Sequence, residues 1–119
     1  MSFHENLPIY KKALDLAVYI ETIAGNFSRA HKYTIGTDLR NSSKKALLLI
    51  ARANCAKDKK ECLLELRDSI EEIKILIRVS KELKVFRSFT SFEHITRLTM
   101  DVAKQCEGWL RSQNPPPLL

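Results

Sequence analysis

Apolar residues return every three or four positions in four separate stretches of the chain, the spacing of amphipathic helices. The first stretch runs from about Pro8 to Phe27 and places Ile9, Ala13, Leu16, Ile20, Ile23, Ala24 and Phe27 on one face. Pro8 suits a first helical turn, where its missing N–H costs nothing, and Gly25 marks where the helix frays. The second runs from about Thr37 to Asn54, with Leu39, Ser43, Ala46, Leu47, Ile50 and Ala53 inward and Thr37 or Asp38 as its cap.

The third stretch starts after Asp58, with Glu61 three residues on completing a box-like start. Its core stripe is Leu63, Leu66, Ile70, Ile73 and Ile77. The fourth starts at Thr90, with Glu93 as the reciprocal partner of the cap, and lines up Phe92, Ile95, Leu98, Val102, Cys106, Trp109 and Leu110. Residues 113–119 hold Pro115, Pro116 and Pro117, cannot continue a helix, and read as a flexible tail. Short connections near 30–36, 55–58 and 84–90 make neighbouring helices antiparallel. The expected fold is all-α: one up-down-up-down four-helix bundle over residues 1–112.

Two helices carry apolar residues that such a core has no room for. Residues two apart on a helix lie about 200° around it, so Ile75, Leu76, Val79 and Leu83 turn away from Ile73 and Ile77. Leu14 and Val18 likewise oppose Leu16 and Ile20. A monomer would leave these stripes in water, and such surface usually marks a partner. The expectation is a homo-oligomer with those six residues at the subunit contact.

Composition supports one soluble domain: 119 residues, 45% apolar and 29% charged, with only three glycines. The longest apolar run, Ala46 to Ala51, is far too short to span a bilayer, and the N-terminus lacks the pattern of a signal peptide. Three cysteines outside any CxxC spacing read as reduced thiols of a cytoplasmic protein.

Charge adds more. Residues 1–60 hold eleven Lys/Arg against five acids, and residues 61–119 hold nine of each, so the net +6 lies in the first half. Arg40, Lys44, Lys45 and Arg52 sit on the outer side of the second helix, preceded by Arg29 and Lys32 and followed by Lys57, Lys59 and Lys60. Such a patch neutralises phosphates in a salt-dependent, largely sequence-independent way; it is also what an ordinary solvated helix face looks like. Tyr33 is the only ring near this patch, so it offers no base-stacking platform.

Candidates for chemistry are sparse. His4, His31 and His94 form no Glu-x-x-His pair of the metal-bundle kind. Gly25, Gly36 and Gly108 are isolated, so no phosphate loop exists. Cys55, beside Lys57, Lys59 and Lys60, is the one thiol in a basic setting, and no histidine neighbours it in sequence. No metal, cofactor or catalytic residue is expected.

Five segments carry a family resemblance: Pro8-Ile9-Tyr10-Lys11, Asn26 to Arg40, Ile75 to Lys84, Ser91 to Leu98, and Gly108 to Arg111. In order and spacing they resemble the accessory variability determinant proteins of diversity-generating retroelements. That family is related to the four-helix-bundle proteins encoded in intervening sequences of bacterial large-subunit ribosomal RNA genes. The resemblance implies a non-enzymatic, basic homopentameric ring, with a reverse transcriptase and the retroelement's RNA or DNA as partners. Within the matched segments, Arg40, Arg78 and Lys81 are the candidate nucleic-acid contacts. The chain departs from the family at Asn41–Lys45, where relatives are richer in acidic and aliphatic residues.

Three functions therefore stay open: an accessory nucleic-acid-binding ring, an oligomeric scaffold or adaptor with no nucleic-acid role, and a small enzyme built on Cys55.

Overall fold

The computed structural model describes residues 4–113. A single 3₁₀ turn at His4–Asn6 leads into α1 (Pro8–Ala24), and a short α2 (Arg29–Lys32) precedes α3 (Ile35–Cys55), α4 (Lys60–Glu82) and α5 (Phe89–Gln113). The four long helices are those the apolar spacing predicts; α2 is additional. Pro117 and its neighbours in the expected tail lie outside the described residues, while Gln113, assigned to that tail, is the last residue of α5.

Helix α1 packs on α3 and α5, and α4 packs on the same two. The four helices thus close a square in which α1 and α4 stand at opposite corners. Fully enclosed in it are Leu16, Ile20, Leu39, Leu49, Ile50, Leu63, Leu66, Ile73, Ile95 and Val102. The expected inner stripe of α4 is buried to the last residue. On α3 the core takes Leu49 rather than Leu47, which is only partly buried.

Buried hydroxyls are mostly answered locally. Ser69 Oγ donates to the Ser42 carbonyl across the α3–α4 contact at 3.3 Å, and Thr99 Oγ1 donates to the Ile95 carbonyl at 2.7 Å. These small polar residues let the helix backbones approach without leaving a donor unmet.

Helix ends differ from expectation in instructive ways. Helix α1 stops at Ala24, with Gly25 as the residue after it, so Phe27 reaches the core from the following turn. Helix α3 begins two residues before Thr37, after Thr34, whose hydroxyl donates back to the Ala30 carbonyl instead of capping forward. Gly36 permits this early start: a Cβ there would lie 3.2 Å from the His31 carbonyl oxygen and 3.4 Å from the Phe27 ring.

At α4, Asp58 Oδ1 accepts from the Lys60 amide at 3.1 Å, a tight turn rather than the expected reciprocal box. At α5 the capping hydroxyl is Ser88, which accepts from the Ser91 amide at 3.2 Å, and Thr90 is already inside the helix.

The end of α4 is a Schellman turn. The Val85 amide donates to the Ser80 carbonyl and the Lys84 amide to the Lys81 carbonyl, with Val85 buried behind. This geometry needs a left-handed residue, and Lys84 fills the place with φ 57°, where glycine is usual.

Candidate nucleic-acid interface

The four candidate cations of α3 divide into two pairs. Arg40 and Lys44, one turn apart, lean toward α1 and close on Glu21. Arg40 Nε lies 2.8 Å from Glu21 Oε2, and Lys44 Nζ lies 3.4 Å from Oε1. The Arg40 N–H is not aimed at the carboxylate oxygen, so the contact is an ion pair without hydrogen-bond geometry. Only 21% of the Arg40 side chain is exposed. One of its terminal nitrogens lies 3.7 Å from where a Cβ on Gly25 would stand, at the end of α1. A cation there also meets the negative end of that helix. Arg40 is thus tied to the α1–α3 contact.

Lys45 and Arg52, two turns apart, stay exposed on the outer side of α3 and have no carboxylate partner among the described residues. The basic connection after α3 is likewise split. Lys59 folds its ammonium onto the carbonyls of Ala53, Asn54 and Ala56 at 2.9 to 3.0 Å and so caps α3. Lys57 and Lys60 remain exposed.

Arg78 and Lys81 lie on the flank of α4 turned toward α5, away from α3. Arg78 pairs with Glu82 at 3.4 Å, one turn on. Lys81 sits 4.8 Å above the Phe92 ring of α5. The six candidate nucleic-acid contacts therefore form no single patch: two are free on α3, two close on Glu21, and two flank the α4–α5 groove.

Around Lys81 the structure gathers something the α3 patch lacks. Phe86, Phe89 and Phe92 form a row of rings, and Phe86 meets the buried Phe27 edge-on at 6.0 Å. The signal lay in the sequence as three phenylalanines spaced by three, with Lys84 just before them and Arg87 among them. Reading Phe92 as plain core hid it. Glu21 had no local signal, because its partner is nineteen positions away.

Five of the six candidate contact residues are exposed: Leu14, Val18, Ile75, Val79 and Leu83, with Ile75 at 64% and Val18 at 58%. Leu76 is partly buried and packs against the core instead. Because α1 and α4 occupy opposite corners, the Leu14/Val18 patch and the Ile75/Val79/Leu83 patch face away from each other.

The thiols are dispersed. Cys106 is enclosed beside α4, its Sγ 3.7 Å from the Leu63 carbonyl; burial chiefly, then Glu107, push its pKa up to about 11 against a smaller opposing pull from Arg67. It stays protonated at neutral pH, when a thiol is a poor nucleophile. Cys55 is the exposed last residue of α3, and Cys62 is half-buried. His94 stands edge-on to Tyr19, 4.5 Å between ring centres. No group of three or more His, Cys, Asp or Glu among the described residues is placed to hold a metal ion. No helix among them is long and apolar enough to cross a membrane.

A family model described as bAvd-like matches residues 7–113, nearly the whole chain and all four long helices. No protein of curated function matches it.

Proposed function

The chain belongs to the bAvd-like family, and from that membership and its surface chemistry we propose that it is a non-enzymatic accessory protein. In this reading, copies assemble into a basic ring, a pentamer as the family resemblance implies. The ring binds nucleic acid and serves a reverse transcriptase in the cytoplasm. The observation that carries the reading is the pairing of two exposed features: free cations at Lys45 and Arg52, and apolar patches at opposite corners. Two different patches that face apart cannot satisfy each other across a two-fold axis. A contact of one patch with the other on the next copy is head-to-tail, and such a contact closes into a ring when the rotation permits. Repetition around the ring would multiply a modest positive field.

The test is binding of a labelled oligonucleotide across a salt series. Tight binding at low salt, falling steeply as salt rises, is expected, with Lys45→Glu/Arg52→Glu weakening it and lowering the log–log salt slope by about two. Reversing Arg40 and Lys44 would be a poorer probe, since it also breaks the α1–α3 contact through Glu21. A wild-type protein indifferent to nucleic acid at low salt overturns the reading.

One observation favours the second reading, an oligomeric protein scaffold or adaptor. Three of the six candidate contacts already have carboxylate partners, Arg40 and Lys44 sharing Glu21 and Arg78 pairing with Glu82. A partner protein recovered equally with and without nuclease treatment would support that alternative.

A further inference from the structure

We infer that the corner where α4 meets α5 is a stacking site for an unpaired base of single-stranded nucleic acid. Phe89 is its platform, and Lys81 and Lys84 are its phosphate contacts. The site rests on the nucleic-acid reading above but lies apart from the α3 cations that carry it.

Phe89 opens α5 with 66% of its surface exposed, an arrangement folding alone does not reward. One side of it is backed. Phe92 lies 5.8 Å behind, tilted 39°; Phe86 is 5.8 Å from Phe92 and rests edge-on against buried Phe27. This chain of rings ties an exposed aromatic to the core and leaves it little freedom to lose when a ligand arrives. Phe86, Phe89 and Phe92, with Lys81, Lys84 and Ser88, line an open pocket of about 240 Å³.

The cations around it lack carboxylate partners. Lys81 is held over the Phe92 face, Lys84 is exposed, and neither has an acid within ion-pair distance among the described residues. Lys84 adds an independent clue. It occupies the left-handed place of the Schellman turn, where glycine would fold better. Backbone strain retained beside a pocket points to a role outside folding.

The occupant follows from the combination. An apolar partner helix would desolvate two cations without repaying them. An acidic polypeptide would satisfy the cations and leave the flat, open ring unused. A nucleotide supplies both an aromatic face and an anion, and stacking is tolerant of base identity. Duplex bases are already stacked on each other, so the site selects single strands.

The test measures binding of a fluorescent single-stranded oligonucleotide and of its duplex at one salt concentration. Phe89→Ala is expected to weaken single-strand binding about tenfold while leaving duplex binding and the melting temperature unchanged. In Phe89→Trp, affinity is retained and the new indole is quenched by the bound strand. Trp109, about 30 Å away along α5, supplies the unquenched background measured in the wild type. Equal single-strand binding by wild type and Phe89→Ala overturns the site. So does an equal loss for single strand and duplex, which would mark a general effect on the fold. If Lys45→Glu/Arg52→Glu abolishes binding and Phe89→Ala does not change it, the proposed function stands and this site falls. A wild type that binds neither probe removes both.

Discussion

Ile73 and Ile75 are chemically identical and two positions apart on α4, yet Ile73 has no exposure and Ile75 is 64% exposed. The inner stripe to which Ile73 belongs, from Leu63 to Ile77, closes the square of helices. The outer stripe of Ile75, Val79 and Leu83 stays exposed. Apolar spacing along one helix thus carries two kinds of information. Residues that recur in phase with the other helices build the core; residues out of phase stay on the folded surface.

The strongest way to break this comparison is on the inside. Ile73→Ala leaves a cavity that neighbours fill only in part, and such changes cost about 2–5 kcal/mol. A drop in melting temperature of roughly 10 °C or more is expected, read by thermal circular dichroism. A variant as stable as the wild type would mean that the inner stripe is not the core.

The outer stripe should respond in the opposite manner. Ile75→Glu is expected to leave the protomer's helix content unchanged, because exposed substitutions rarely move stability beyond about 0.5 kcal/mol. It should instead weaken self-association by at least about 1.5–3 kcal/mol, the worth of one buried isoleucine side chain, with charge burial added. Sedimentation or light scattering would show the mass falling toward one protomer. A wild type that is already a single protomer at working concentration would leave the outer stripe without its proposed purpose.

What could be read in advance follows the same division. The α4 core was legible because Leu63, Leu66, Ile70, Ile73 and Ile77 repeat with one period over several turns. Helix ends were less so. Ser88 and Thr90 are both competent caps, and in the structure Ser88 takes the role. The short α2 gave no periodic signal, being a single turn. At the candidate interface, local spacing placed the cations on their helices but did not give their partners. That Arg40 closes on Glu21 depends on two helices meeting side by side. The ring cluster at 86–92 was visible as spacing but meant little until Phe27 and Lys81 were seen to converge on it.

The smallest effect sharpens the comparison most, at the point where α4 ends and both stripes run out. Left-handed backbone costs a residue with a Cβ about 1 kcal/mol or more relative to glycine, and Lys84 adopts it with φ 57°. Its side chain is exposed, so removing it takes no core contact away. Lys84→Gly is therefore expected to stabilise the protein by about 0.5–1 kcal/mol, raising the melting temperature by a few degrees. Lys84→Ala keeps the strain and serves as the control; it should change stability little. If the glycine variant is no more stable, the turn is not strained, and one argument for lysine serving a ligand there disappears. If it is more stable yet binds single strands less well, stability has been given up at this corner for a contact.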